Sequence, residues 1–187
     1  MPEVSIQQFT KYIGKEELSN LYLFWGPETY FHDVFVSQLE KMVIPDAASK
    51  DFNHHSYYAN DVSINEVVST CLSFPMMSDR KFVIVKHFDQ MTIDDKDAFL
   101  KYIQNPQKST ILVLTAETWG KTKFHNELIN AAVSVNCKTL YEKEVYSWVR
   151  SKFDEKNILI EEDSIAAFIP EHDPFLFINL SLCHQRD

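Results

Sequence analysis

The chain has 187 residues, of which 45% are hydrophobic and 24% charged, so it can form an α/β domain with a small appendage and is not a disordered chain. Its formal net charge of −9 disfavours strong binding to nucleic acid by the chain alone, because such binding depends on cations that neutralise phosphates. Three glycines and three widely spaced cysteines argue against a glycine-rich dinucleotide loop, a disulfide framework and a zinc knuckle.

The first half of the chain alternates between strand and helix patterns. The apolar run Leu21–Trp25 predicts a buried strand, and the apolar spacing after it predicts a helix. Residues 53–59 are more polar and predict a strand near a sheet edge. Ser63 with Glu66 three residues later is a capping box and predicts the start of a helix, which we expect to end at Pro75.

The alternation continues through the second half. Apolar runs predict strands over residues 81–88 and 110–116, and helical spacing predicts helices over 92–104 and 123–132. A short fifth strand lies within residues 132–140. Five alternations of this kind predict a three-layer α/β/α domain with a five-stranded, mainly parallel sheet.

The pattern changes after residue 140. Apolar residues recur at helical spacing over residues 141–157 and again over 161–172, and a dense apolar cluster follows at 175–182. We therefore expect two domains, an α/β domain over residues 1–140 and a partial helical domain over 141–187.

The loop after the first strand has the layout of a phosphate-binding loop. The pattern G-x-x-x-x-G-K-[ST], aligned on Gly26, places Phe31 at the second glycine, His32 at the lysine and Asp33 at the hydroxyl. The β-carbon of Phe31 obstructs the curl of the loop. Asp33 would place a negative charge in the first helical turn, where it favours the helix dipole and replaces a bound anion. The sequence therefore predicts a degenerate loop without nucleotide chemistry.

The third strand supports this interpretation. A Walker B strand ends in acidic residues that hold magnesium, but here the strand ends in Lys86 and His87. We expect a scaffold that needs no cofactor and holds no metal, and the alternative is a divergent P-loop NTPase with an atypical nucleotide site. Thr115, at the end of the fourth strand, is expected to be a strand-end hydroxyl.

The order of these segments resembles the delta subunit of the bacterial DNA polymerase III clamp loader over residues 5–172. The matching stretches are "SIQQFTKYIGKEELSNLYLFWGPETYFHD", "LSFPMMSDRKFVIVKHF", "FLKYIQNPQKSTILVLTAE" and "VNCKTLYEKEVYSWVRSKF". The resemblance implies an AAA+ fold that has lost its ATPase site and a non-catalytic subunit of the polymerase holoenzyme. It also implies a cytoplasmic replication protein that binds the sliding clamp and helps to open it for loading onto primed DNA.

The resemblance also implies the other partners and the domain types. These partners are the ATPase and delta-prime subunits of the loader, with primed DNA contacted only within the complex. The helical domain is expected to be a partial lid, and the collar domain that joins relatives into the loader ring is not matched. The ATPase relatives carry a Ser-Arg-Cys arginine finger, and Asn136 stands at the arginine. Because the collar domain is not matched, we expect clamp binding without stable ring assembly. The apolar cluster at residues 175–182 is expected to cause self-association.

A second candidate site lies between the second helix and the third strand. Phe74, Met76 and Met77 are apolar but do not follow a helical or strand period. They either tuck beneath the sheet or form an exposed partner-binding tip, residues 74–77, for which flexible methionines are suited. The resemblance places at Met76 and Met77 an apolar pair that enters a pocket of the clamp, with Phe74 and Pro75 as support.

The remaining candidates are weaker. His54 and His55 are neighbours on a strand, so they face opposite sides and do not share a metal ion. Lys121 and Lys123 suit a solvated surface better than a DNA-facing one. No signal peptide and no apolar run of about 18 residues occur, so no membrane partner is expected.

Overall fold

Five strands and six α-helices are described in the α/β part of the chain. The computed structural model describes residues 4–13, 18–44, 47–94, 96–155 and 159. The strands are β1 (Leu21–Trp25), β2 (His54–Tyr58), β3 (Lys81–Lys86), β4 (Thr110–Ala116) and β5 (Val133–Asn136). The helices are α1 (Ile6–Tyr12), α2 (Thr29–Val43), α3 (Ala47–Asn53), α4 (Ile64–Leu72), α5 (Lys96–Gln104) and α6 (Lys123–Ala131).

All five strands are parallel and lie in the order β2-β3-β4-β1-β5. β1 lies between β4 and β5, with Leu23 paired with Leu114 on one side and Ser134 on the other. β3 and β4 are buried along almost their whole length, as expected of central parallel strands. The predicted fold class is confirmed, and the polar strand β2 is at the sheet edge.

Each face of the sheet is covered by helices, because alternate strand residues point to opposite faces. On one face, apolar residues of α4, α5 and α6 pack on strand residues such as Leu23, Val85 and Leu114. On the other face, Phe9 of α1 lies 5.1 Å from Phe24 and 4.7 Å from Phe35 of α2, measured between ring centroids. The result is the three-layer arrangement that the alternation of strand and helix predicts.

Two short helices were not predicted from the sequence. α1 begins with a capping box in which the Ser5 hydroxyl accepts the Gln8 amide at 3.2 Å and the Gln8 side chain accepts the Ser5 amide at 3.0 Å. α3 has seven residues and leads directly into β2. Segments this short carry too little helical period to be identified from apolar spacing.

Several predicted boundaries differ from the structure. β3 ends at Lys86, two residues before the prediction, because His87 adopts a left-handed backbone with φ of 54° and a 3-10 turn follows at Phe88–Gln90. α4 ends at Leu72, before Pro75, since Ser73 has an extended backbone. At the other end of α4 one of the two hydrogen bonds of the predicted capping box is present, because the Ser63 hydroxyl accepts the Glu66 amide at 3.2 Å.

The chain divides into two compact units, Met1–Lys138 and Thr139–Asp187. In the second unit, α7 (Glu142–Glu155) buries Val145, Trp148 and Val149, which follow the helical spacing seen in the sequence. The predicted helix over residues 161–172 and the apolar cluster at 175–182 lie outside the described residues. Among the helices that are described, none is long and apolar enough to cross a membrane.

Candidate functional site

The loop after β1 begins with a glycine that no other residue can replace without strain. Gly26 has φ of +123°, a conformation that side chains disfavour. A β-carbon at this position would lie 2.5 Å from the carbonyl oxygen of Cys137, which is too close. The amide of Gly26 donates to the carbonyl of Ala116 at 2.9 Å, so the turn lies directly against the ends of β4 and β5.

The backbone amides of this loop donate to protein carbonyls. The Glu28 amide donates to Cys137 at 3.0 Å, the Thr29 amide to Pro27 at 3.0 Å and the Phe31 amide to Glu28 at 3.1 Å. A phosphate-binding loop presents such amides to the anion. The β1 loop therefore has the layout of a phosphate-binding loop, but these amides are already hydrogen-bonded within the chain.

Phe31, at the position of the second loop glycine, belongs to the hydrophobic core. Its side chain is fully buried, and its ring lies 5.9 Å from that of Phe35 in a stacked arrangement. The ring of Tyr30 lies 5.6 Å away, edge-on. Phe31 thus places a packed core side chain where the phosphate-loop pattern has a flexible glycine.

His32, at the position of the loop lysine, is unsuited to neutralise a phosphate. Burial lowers the pKa of His32 from 6.5 to about 4, and the nearby carboxylates of Asp33 and Asp89 offset this only in part. The imidazole is consequently neutral at pH 7. The lysine of a phosphate-binding loop supplies a positive charge at this position.

The role predicted for Asp33 is wrong. α2 begins at Thr29, with Glu28 as its N-cap, so its first turn runs from Thr29 to His32 and contains no acidic residue. Asp33 lies in the second turn and is exposed to solvent. The helix starts early because Phe31 is a helical core residue and not a flexible glycine. Carbonyl groups, and not a carboxylate, therefore satisfy the start of this helix.

The end of β3 also differs from a magnesium site. The first carboxylate beyond Lys86 is Asp89, which accepts hydrogen bonds from the amides of Glu117 and Thr118 at 3.3 Å and from the Thr118 hydroxyl at 2.9 Å. His87 Nδ1 lies 3.3 Å from a Glu117 carboxylate oxygen. Asp89 thus fastens the loop after β4, a role that was not predicted from the sequence.

The weaker candidates are scattered. Within the described residues, no group of three or more His, Cys, Asp or Glu side chains could hold a metal ion. His54 stacks on Phe82 with ring centroids 5.7 Å apart, and burial lowers its pKa. Thr115 is buried in β4, and Asn136 ends β5. Lys123 is almost fully exposed, and its Nζ lies 3.7 Å from Glu127.

The tip, residues 74–77, and the β1 loop lie at opposite ends of the parallel strands. The tip precedes the amino end of β3, whereas the loop follows the carboxyl end of β1. Its apolar side chains are exposed to solvent, with Phe74 at 78%, Met76 at 57% and Met77 at 95% of their full accessible surface. Met77 also has a left-handed backbone with φ of 53°, which is uncommon outside glycine and asparagine. The tip is therefore an apolar projection and is not tucked beneath the sheet.

Two buried side chains hold the backbone of the tip and of the residues directly before it. Asn53, the last residue of α3, accepts the Met76 amide at 2.7 Å and donates to the Met76 carbonyl at 2.6 Å. Lys81, the first residue of β3, donates from Nζ to the carbonyls of Thr70 and Ser73, each at 3.1 Å, and to the Ser73 hydroxyl. Through these hydrogen bonds the ammonium group closes the carboxyl end of α4, where the helix dipole favours a cation. Burial of the side chain acts in the other direction and lowers the pKa of Lys81.

Neither Asn53 nor Lys81 was predicted from the sequence. A lysine that opens an otherwise apolar strand is a signal of a buried amine with nearby acceptors. Asn53 carries no such signal, since its partner is 23 residues away in the chain.

The strand order, together with a glycine turn that leads from β1 into α2, defines a P-loop-type α/β domain of the AAA+ class. Its nucleotide loop is closed by internal hydrogen bonds, and an apolar tip projects from the opposite end of the strands. The profile of the family "DNA polymerase III, delta subunit" matches residues 22–138, which is more than half of the chain. The chain belongs to this family of polymerase holoenzyme subunits.

Individual relatives agree with the family assignment. The chain is 28% identical to the DNA polymerase III subunit delta of Bacillus subtilis in an alignment of 161 residues that covers 79% of this chain and 46% of that protein. The structure is similar to that of the Bacillus subtilis DNA clamp loader delta protein, with a TM-score of 0.74 and 26% identity over 86% of this chain and 50% of the other. The chain thus spans about half the length of these relatives.

A second solved structure shows the fold alone. It is a DNA polymerase III gamma subunit-related protein of Thermotoga maritima, with a TM-score of 0.50 and 19% identity over 80% of this chain and 52% of that one.

Proposed function

We propose that this chain acts in DNA replication as a non-catalytic part of a clamp loader, and that its tip binds the sliding clamp. The observation that carries the proposal is the exposure of Met77, at 95%, on a loop whose backbone is held by Asn53 and Lys81. Exposed apolar side chains that project from a fixed backbone suit insertion into an apolar pocket. Family membership supplies the identity of the partner.

The composition of the tip suits this contact. Methionine is unbranched and polarisable, so it adapts to the shape of a pocket, and its burial contributes hydrophobic free energy. Met76 and Met77 would enter the pocket, while Phe74 covers its rim and Pro75 restricts the backbone before Met76. The chain's negative charge does not contribute to this contact, which is apolar.

Opening of the clamp would follow from differential affinity. A tip that binds the open ring more tightly than the closed ring shifts the population towards the open form, by no more than the difference between the two affinities. No nucleotide is needed for this step. Nucleotide chemistry would come from the ATPase subunits, and the delta-prime subunit and primed DNA would join only in the assembled loader in the cytoplasm.

The absence of catalysis by this chain is part of the proposal. The loop amides that would hold a phosphate donate to Cys137, Pro27 and Glu28, and the neutral His32 replaces the cation. These contacts disfavour the alternative function, a divergent P-loop NTPase. They support a scaffold in which the loop holds β1, β5 and α2 together.

The test is equilibrium binding of the chain to an immobilised bacterial sliding clamp in buffer with and without Mg-ATP. We expect saturable binding that is the same in both buffers, because the tip and the β1 loop lie at opposite ends of the parallel strands. Failure to bind at micromolar concentrations would overturn the clamp assignment. Binding that requires Mg-ATP would favour the NTPase.

A further inference from the structure

Asn53 joins the tip to the body of the domain through both ends of one carboxamide. Its Oδ1 accepts the Met76 amide at 2.7 Å, and its Nδ2 donates to the carbonyls of Met76 at 2.6 Å and Ser49 at 3.1 Å. The carboxamide thus pairs with Met76 as a neighbouring strand would. Asn53 itself is fully buried, so it has no surface with which to touch a partner.

The chemistry of these three bonds requires an amide side chain. An aspartate keeps the acceptor for the Met76 amide but has no hydrogen to donate, and it faces the carbonyl oxygens of Met76 and Ser49 with a negative charge. A leucine of similar shape would leave the amide and the carbonyl of Met76 without these partners, and the Ser49 carbonyl without this donor. Asparagine is the residue that satisfies an amide and two carbonyls at this short reach.

The bond to Met76 acts next to the strained residue of the tip. Met77 has φ of 53°, a conformation that costs free energy for a side chain with a β-carbon. With Met76 held on both its amide and its carbonyl, the backbone enters Met77 in a fixed direction. The consequence is that the Met77 side chain projects almost completely into solvent.

A second anchor acts at the other end of the same loop. The Lys81 ammonium group binds the carbonyl and the hydroxyl of Ser73, directly before Phe74. The backbone of the tip is therefore held on both sides, at Ser73 and at Met76. Such a segment has little conformational freedom left to lose on binding, and this raises affinity without any added contact.

We propose that Asn53 is a positioning residue for clamp binding, which sets the tip's affinity by fixing the backbone of Met76 and Met77. The inference rests on the proposed function of the tip. It predicts that clamp affinity depends on a side chain that the clamp does not reach.

The experiment replaces Asn53 in the whole chain and measures two quantities. Asn53→Asp is the near-isosteric variant, and Asn53→Ser is carried in parallel in case the first does not fold. Hydrogen exchange at the Met76 amide reports the tether without a clamp, and equilibrium binding to the sliding clamp reports the function. Affinities are calculated on the folded fraction. Asn60→Asp, an exposed residue after β2, is the control with the same change of charge.

We expect Met76 exchange to be slower than that of Met77 in the wild-type chain and to rise in Asn53→Asp, with exchange in the central strands unchanged. We expect clamp binding to weaken about tenfold, a change typical of losing one or two buried hydrogen bonds. In a Met77→Ala background the effect of Asn53→Asp should be much smaller, because the two changes act through the same contact. Asn60→Asp should change neither quantity.

Other outcomes have separate meanings. Equally fast exchange of Met76 and Met77 in the wild-type chain would overturn the tether. Faster Met76 exchange in the Asn53 variants with unchanged clamp affinity would overturn the positioning role alone. The same would follow if Asn53→Asp lowered clamp affinity as much in the Met77→Ala background as in the wild-type chain. A wild-type chain that does not bind the clamp would overturn the proposed function, and the positioning role with it.

Discussion

The backbone amide of Glu28 donates to the carbonyl of Cys137 at 3.0 Å, and the amide of Cys137 donates to the carbonyl of Trp25. These bonds fasten the loop after β1 to the segment after β5. In a phosphate-binding loop the corresponding amides face the nucleotide. The protein has therefore kept the glycine turn and has turned its donors inwards, which makes the loop part of the scaffold.

The first prediction concerns nucleotide affinity. Because the loop amides have protein acceptors and His32 is neutral, Mg-ATP should bind no tighter than about millimolar. An equilibrium titration of the purified chain with a fluorescent ATP analogue measures this. Micromolar affinity that depends on magnesium would contradict it.

The second prediction concerns Phe31. Restoring the glycine of the phosphate-loop pattern, Phe31→Gly, should destabilise the domain by about 3–5 kcal/mol, because it leaves a cavity where an aromatic ring is now buried, and helical glycine adds to the loss. Denaturant unfolding measures the change. Tyr30→Gly, on the neighbouring and less buried residue, is the comparison and should cost less. Equal losses would show that Phe31 is not a core residue.

The third prediction concerns acid. Burial holds the pKa of His32 at about 4, below the 6.5 of an exposed histidine, so the unfolded chain binds a proton more readily than the folded one. Stability should therefore be fully retained above pH 6.5 and be lost as the pH falls towards 4, by up to about 3 kcal/mol from this group.

The measurement is the free energy of unfolding at several pH values for the wild-type chain and for His32→Gln, which does not titrate. The variant should lose less stability than the wild-type chain between pH 6.5 and pH 4. Burial also lowers the pKa of His54 and His55, and the stability that is lost in acid through these two residues should be the same in both chains. Parallel curves for the two chains would show that His32 does not carry the effect.

The parts of the fold that depend on local pattern were predictable, and those that depend on contacts between distant segments were not. Apolar runs located β4 at its observed ends, because a buried parallel strand needs apolar residues on both faces. The lack of any period around Met76 and Met77 left two alternatives open, a segment beneath the sheet and an exposed tip, and the structure shows both side chains exposed. Asn53 was missed, because its importance depends on an approach of α3 to the tip that no local pattern encodes.

The fourth prediction concerns Lys81. Replacing it with methionine, which is similar in length, leaves the carbonyls of Thr70 and Ser73 without this donor. The loss should be about 1–3 kcal/mol of folding stability, the usual cost of unsatisfied buried polar groups. Lys123→Met, at a residue exposed to 93%, should change stability by less than about 0.5 kcal/mol. Thermal or denaturant unfolding of both variants gives the comparison, and similar values for the two would contradict a buried anchor at Lys81.

The last prediction concerns the tip itself. Met76→Ala combined with Met77→Ala should leave folding stability nearly unchanged, because both side chains project into solvent and neither belongs to the core. Clamp affinity should fall roughly thirtyfold or more, since truncating an apolar anchor in a pocket typically costs ~2 kcal/mol or more. Tyr58→Ala is the control, because Tyr58 is also half exposed but lies at the far end of β2 from the tip. Unfolding measurements and clamp titrations on the same preparations separate the two effects. A double variant that unfolds would place the methionines in the core, and a folded double variant with wild-type affinity would remove the tip from the clamp contact.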